Sequence, residues 1–164
     1  MSTETTHEVN GSAQNGELAK TQEFLTIMIA DQRFGVPILQ VQDVLGQQSV
    51  TRIPLAPPEV AGSLNLRGRI VTAIDVRTRL NIVQDSQNRD LESKMSVVVE
   101  HDQQLYSLII DRVGDVMALR DDQFESNPPT MDTAWRDISA GIFRLHEELL
   151  VILDVPKLLE SVHN

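Results

Sequence analysis

Short apolar runs separated by turn-forming residues dominate this chain. The runs are rich in Val, Ile and Leu and are too short for long helices, so they predict β-strands. The predicted strands cover residues 23–30, 33–37, 50–53, 95–100, 105–110, 113–119, 138–145 and 149–153. The pattern therefore predicts a mainly β fold.

The stretch 62–77 is the most informative one. It predicts two apolar strands joined by a tight turn at Arg67 and Gly68, with Arg77 just past the second strand. Arginine combines bidentate pairing with an apolar stem, which makes it frequent at interface hot spots. A hairpin that presents guanidinium groups is suited to binding another protein. A plainer interpretation, in which Arg67 is a solvated turn residue, stays open at this point.

Two segments have a helical pattern. Apolar residues at 38, 41 and 45, with 44 beside them, predict a short helix that ends at Gly46. A second short helix is predicted over residues 154–160. Apolar groups left exposed on the first helix would form a docking surface together with Arg67. The segments 81–93 and 120–137 lack such patterns and are expected to be a loop and a long irregular connection.

The first 22 residues are polar and predict a disordered tail, which leaves one domain over residues 23–162. An internal similarity relates residues 70–80 to residues 149–159. Each reads as an apolar strand, an aspartate and a short segment that ends in leucine. Short strands at close spacing with such a similarity indicate two small, similar β-barrels.

Charge is unevenly spread along the chain. The net charge is −10, yet residues 52–79 hold five arginines against Glu59 and Asp75. An acidic body repels phosphates, which argues against nucleic acid, and the basic segment suggests a protein partner with acidic groups. The chain has no cysteine, no signal peptide is visible, and no apolar run is long enough to span a membrane. We therefore expect a cytoplasmic protein without membrane insertion.

Candidate chemistry is sparse. Asp75, Asp111 and Asp154 each follow an apolar strand, where capping or turn roles are more common than catalysis. The four histidines are isolated, so we expect neither a metal site nor a cofactor. Two alternatives remain: a small hydrolase using Asp75 and Asp111, and a barrel that binds small molecules or nucleic acid, which would need an aromatic-lined positive groove.

An ordered set of motifs resembles the CheW-like chemotaxis coupling proteins over about residues 23–162. The matching pieces are Gln-Glu-Phe-Leu at 22–25, Arg-Phe-Gly-Val-Pro-Ile at 33–38, Val-Gln-Asp-Val at 41–44, Val-Thr-Arg-Ile-Pro at 50–54, Gly-Ser-Leu-Asn-Leu-Arg-Gly at 62–68, Ile-Asp-Val-Arg at 74–77 and Ile-Asp-Arg-Val-Gly-Asp-Val at 110–116. The resemblance implies two interlocked five-stranded SH3-like β-barrels with short helices.

The same resemblance implies a non-catalytic adaptor. Its partners would be the regulatory domain of a CheA-type histidine kinase, the tip of a methyl-accepting chemoreceptor, and further copies of itself in rings within receptor arrays. Arg67, within Asn65-Leu66-Arg67-Gly68, falls at the expected receptor and kinase contact. Asp43 stands where many members have Glu. The other implied residues are apolar groove positions and a loop glycine near the kinase: Val41, Val44, Val113 and Gly62.

Overall fold

A computed structural model describes residues 20–82 and 94–162. These residues form eleven strands and three short α-helices. The strands are β1 (Thr21–Ile29), β2 (Gln32–Pro37), β3 (Val41–Leu45), β4 (Val60–Leu66), β5 (Arg69–Asp75), β6 (Met95–His101), β7 (Gln104–Ile110), β8 (Arg112–Arg120), β9 (Phe124–Glu125), β10 (Ser139–Arg144) and β11 (Leu149–Leu153). The helices are α1 (Val76–Arg79), α2 (Thr133–Arg136) and α3 (Val155–Val162).

The strands form two sheets that are built in the same way. Sheet A has the order β8-β1-β2-β11-β10-β9, and sheet B has the order β3-β6-β7-β5-β4. In each, a hairpin (β1–β2 or β6–β7) is extended by a parallel strand, β11 or β5, which pairs on its other side with the strand that precedes it. The two segments with similar sequences, β5 with α1 and β11 with α3, thus occupy equivalent positions.

The two sheets interlock through an exchange of strands. The first hairpin, β1–β2, is completed by strands from the second half of the chain, and β3, β4 and β5 are completed by the later hairpin β6–β7. The predicted mainly β, interlocked architecture is confirmed. Sheet A has six strands rather than five because the two-residue β9 pairs with β10. At the equivalent place sheet B has a single bridge between Thr51 and Ser63.

An aliphatic core joins the sheets, and each sheet also covers a smaller cluster of its own. Strand β11 shows both directions: Val151 and Leu153 face the shared core, while Leu150 and Ile152 pack with Phe24 and Phe143. Strands that bury both faces read as continuous apolar runs. This explains why the runs in the sequence do not alternate strictly. Within the described residues, no helix has the length and apolarity needed to cross a membrane.

The predicted helix over 38–46 is wrong. Ile38–Gln40 form one 3-10 turn, and the rest is β3, which pairs with β6. Five of these nine residues are apolar, a pattern that fits either period, and the pairing of Val44 with Val97 decides for the strand. Gly46 therefore follows a strand, not a helix.

Other boundaries also differ from the prediction. Of the strand predicted over 50–53, only Thr51 makes a bridge. The connection 120–137 contains β9 and α2, whose N-cap Asp132 accepts a hydrogen bond from Ala134 N. β1 begins at Thr21, inside the predicted tail, because its first residues pair with the end of β8. Residues 1–19 of that tail, and 83–93 of the predicted loop, lie outside the described ranges.

Candidate protein-interaction surface

The β4–β5 turn is a two-residue turn that presents Arg67. Arg67 and Gly68 have φ values of +54° and +88°, and Leu66 and Arg69 form the closing pair. Positive φ at both central residues defines the mirror-image turn that matches strand twist. Asn65 fixes this turn because its Oδ1 accepts a hydrogen bond of 2.9 Å from Gly68 N. The predicted tight hairpin with an exposed arginine is confirmed, since the Arg67 side chain is 76% exposed.

Arg67 is paired with Asp43. Its Nη2 lies 3.0 Å from Asp43 Oδ2. Asp43 lies in the edge strand β3, and Arg67 lies in the turn that follows β4, the strand at the other edge of sheet B, so the ion pair links the two ends of the strand order. Such exposed pairs contribute about 0–1 kcal/mol. The pair therefore contributes little to the stability of the fold.

The predicted apolar positions lie mostly on the edge strands β3 and β8. Val44 is 37% exposed, whereas Val41 and Val113 are half-buried and pack partly against the shared core. Leu66 is also half-buried and packs against the cluster of sheet B. β3 pairs with β6, and β8 packs on β6 from the other sheet, so both edges lie next to the same strand.

Other exposed apolar side chains were not singled out from the sequence. Val116 on β8 is 48% exposed and lies three residues beyond the predicted Val113. Only its place in the strand distinguishes it from the buried valines of the chain. The remaining exposed large apolar residues among those described are Leu39, Ile53, Leu55, Ile70 and Phe124.

Gly62 does not lie where the resemblance places it. The expected position was a loop that opens the hairpin, but Gly62 is buried within β4 at a register shift. Its φ is +150°, and a Cβ there would lie 2.7 Å from the carbonyl carbon of Thr51 and closer still to the carbonyl oxygen. The glycine lets two backbone segments approach closely, so its position is explained by packing.

The three aspartates that follow strands, Asp75, Asp111 and Asp154, differ in what their carboxylates bind. Asp75 and Asp154 are helix N-caps, as predicted: Oδ1 of each accepts a backbone hydrogen bond, from Thr78 N at 3.3 Å and from Lys157 N at 3.1 Å respectively. The capping or turn role expected of Asp111 does not describe what its carboxylate does, because that group holds two cations.

Arg77 and Lys94 are those cations. The distances to the Asp111 oxygens are 2.7 Å from Arg77 Nη2 and 2.9 Å from Lys94 Nζ. Arg77 is thus turned inward, with its side chain 11% exposed, and does not add to the surface charge of the hairpin. Burial raises the pKa of Asp111, but the hydrogen bonds from Arg77, Ala30 N and Lys94 outweigh it and hold that pKa well below its usual range.

This geometry does not favour the hydrolase alternative. Asp75 is committed to its helix cap, and the carboxylate of Asp111 already accepts hydrogen bonds from three residues. An acid–base pair needs two carboxyl groups whose environments separate their pKa values around one substrate. Among the residues that the structure describes, no three His, Cys, Asp or Glu side chains are grouped to hold a metal ion.

Residues 23–163 match the family model of the CheW-like domain. The chain belongs to the CheW-like family. A chemotaxis protein CheW of Klebsiella aerogenes is 34% identical over 140 residues, which cover 85% of this chain and 82% of that protein. The chemotaxis protein CheW of Helicobacter pylori is 25% identical over 154 residues, which cover 94% and 91% respectively.

A solved CheW-like structure has the same fold. The scaffolding protein TtCheW of Thermoanaerobacter tengcongensis superposes with a TM-score of 0.72 at 27% identity, over 82% of this chain and 90% of that one. The resemblance drawn from the motifs is confirmed by these matches. The SH3-like fold class that it implied agrees with the two interlocked sheets.

Proposed function

We propose that this chain is a non-catalytic chemotaxis adaptor that couples the cytoplasmic tip of a chemoreceptor to the regulatory domain of a CheA-type histidine kinase. The observation that carries the proposal is the exposed Arg67 on a rigid turn, beside Asp43 and next to a sheet edge that bears Val44. The chemotaxis and scaffolding names of the relatives support it.

The receptor tip would dock as helices against the apolar positions of β3 and β8. Val41, Val44 and Val113 supply the apolar contacts, and helix-in-groove docking is a common way to recognise such a segment. Arg67 then exchanges Asp43 for a carboxylate or carbonyl oxygen of the partner. The exchange keeps the guanidinium paired in both states, while Asp43 loses its cation and keeps the hydrogen bond that its Oδ1 accepts from Val44 N at 2.8 Å.

The kinase would be held in a fixed position next to the receptor. A rigid adaptor passes on a receptor movement because its packed sheets cannot absorb it. Each contact is modest, and arrays in which copies of the adaptor and the kinase domain alternate in rings would gain strength from multivalency. We place the protein in the cytoplasm, recruited to receptor arrays.

Titration calorimetry with the two partners tests the proposal. Purified receptor-tip fragment and kinase regulatory domain should each bind the full chain, and Arg67→Ala should weaken at least one of the two complexes. The matched control is Arg144→Ala, because Arg144 is 64% exposed and its Nε lies 3.0 Å from Glu125 Oε1 on sheet A. The absence of binding to both partners would refute the adaptor. Equal losses of affinity in Arg67→Ala and Arg144→Ala would show that Arg67 has no specific role in binding.

A further inference from the structure

The carboxylate of Asp111 lies at the crossing between the two sheets. Asp111 is the single residue between β7 of sheet B and β8 of sheet A. On the side of sheet A, its N–H donates to Met28 O at 3.1 Å and its Oδ2 accepts from Ala30 N at 2.8 Å. On the side of sheet B, it accepts hydrogen bonds from Arg77, which follows β5, and from Lys94, which precedes β6. We call Ala30, Arg77, Lys94 and Asp111 the junction.

The hydrogen bonds of the junction are directional, whereas the apolar contacts of the core are not. Apolar burial between the sheets opposes their separation but is not directional. The junction instead requires a fixed geometry, because Arg77 binds both oxygens of Asp111 through Nε at 2.9 Å and Nη2 at 2.7 Å. Charge-assisted bonds of this kind are roughly twice as strong as neutral ones.

The junction also holds a backbone conformation that alanine adopts rarely. Ala30 and Asp31 form the β1–β2 turn with φ values of +51° and +67°. Left-handed backbone is unfavourable for a residue with a Cβ, and it persists where surrounding contacts fix it. The bond from Ala30 N to Asp111 is such a contact.

We propose that the junction is a positioning site that sets how sheet A lies against sheet B, and thereby how β8 lies relative to β3. The two strands carry Val113 and Val44, so the junction would control the partner surface without touching a partner. The consequence for binding rests on the proposed function. The positioning itself does not.

The distance between the two edge strands tests the positioning directly. The chain has no cysteine, so nitroxide labels can be placed on cysteines introduced at Gln42 in β3 and Asp115 in β8, both exposed. Pulsed dipolar EPR on the full chain should give a broader or shifted 42–115 distance distribution in Asp111→Asn than in the unsubstituted protein. A second pair within sheet B, at Gln42 and Arg69, should keep its distance.

The surface ion pair of Glu148 with Arg33 provides a control for the loss of a charged group. Glu148→Gln removes the carboxylate that pairs with Arg33 at 3.2 Å and should leave both distance distributions unchanged. If Asp111→Asn does not fold, Lys94→Met keeps the Arg77 bonds and should broaden the 42–115 distribution to a smaller extent. An unchanged 42–115 distribution in the folded variants overturns the proposal, whatever happens to binding.

Calorimetry with the receptor-tip fragment and the kinase regulatory domain separates the positioning of the sheets from its effect on binding. Asp111→Asn should bind at least one of them about tenfold more weakly, although Asp111 is remote from Arg67 in the sequence. A broadened distribution with unchanged affinities would confirm the positioning and overturn its link to the partner surface. If the unsubstituted protein binds neither partner, the proposed function fails while the EPR result still decides the positioning.

Discussion

Substitution of three glycines by alanine separates a packing role for Gly62 from a binding role. Gly46 has an ordinary φ, and a Cβ added there would meet nothing within 4 Å, so Gly46→Ala should change the free energy of unfolding by less than about 0.5 kcal/mol. Gly68 is equally open but has a φ of +88°, so Gly68→Ala should cost about 1–2 kcal/mol. Gly62→Ala combines a φ of +150° with a clash against the Thr51 carbonyl group.

The loss at Gly62 should be the largest of the three. The unfavourable φ alone costs about 1–3 kcal/mol. The clash is with a backbone oxygen, which cannot rotate away as a flexible side chain would, and moving it breaks the bridge between Thr51 and Ser63. We expect at least about 3 kcal/mol in total, a large part of the roughly 5–15 kcal/mol that stabilises a typical domain. The melting temperature should fall by about 6–12 °C.

Urea denaturation followed by the fluorescence of Trp135 measures this series. Trp135 is the single tryptophan, and its ring centroid lies 5.4 Å from that of Phe34 in the shared core, so unfolding exposes it. Gly141→Ala is the internal replicate, since Gly141 occupies the equivalent place in β10 with a φ of +154° and an added Cβ would lie 2.6 Å from Glu125 O.

The reasoning is refuted if Gly62→Ala is as stable as Gly46→Ala. If that stable variant also lost affinity for the kinase domain, Gly62 would be a contact residue, as the resemblance implied. A destabilised Gly62→Ala whose folded fraction binds normally would establish the packing role.

Three further predictions concern charge and titration. Arg67→Ala should lose about 1–3 kcal/mol of binding free energy in calorimetry, with a melting temperature within error of the unsubstituted protein, because the side chain is largely exposed. The pKa of Asp111 lies below its unfolded value, so its stabilising effect is present above about pH 4 and is lost as the pH falls further. Urea titrations should show a constant stability difference between the unsubstituted protein and Asp111→Asn from pH 7 to about 5, and a shrinking one below about pH 4; a difference that grows with acid would contradict this. Burial raises the pKa of Tyr106, the single tyrosine, so its phenolate absorbance should appear only above about pH 10, and stability should decline there; a normal titration of the folded chain would contradict it.

Local signals in the sequence were sufficient for the turns and caps. Asn65 and Gly68 fix the hairpin turn within four residues, and Asp75 and Asp154 cap the helices that follow them directly. Such features depend on residues only a few positions apart in the chain, so they can be recognised in the sequence. The helix prediction for residues 41–45 was wrong because the conformation of this segment depends on its pairing with β6, more than 50 residues later.

Long-range charge pairing could not be predicted from spacing. Arg77 and Asp111 are 34 residues apart, and no local rule connects a helix residue with the crossing between two strands. The pairing of Asp43 with Arg67 likewise joins β3 to the turn after β4, at opposite ends of the strand order of sheet B. The arginine-rich segment was therefore read as one basic surface, although the fold sends Arg77 inside and leaves Arg67 outside.

The exchange of strands between the sheets has a consequence for synthesis on the ribosome. A nascent chain that ends before Met95 holds β1 to β5 but neither of the partners, β6–β7 and β8–β11, that complete the two sheets. Contacts such as Thr26 with Asp115, 89 residues apart, form only after most of the polypeptide has emerged. Neither sheet can be completed before those later strands have been made, and until then the growing polypeptide carries open strand edges for chaperones to shield.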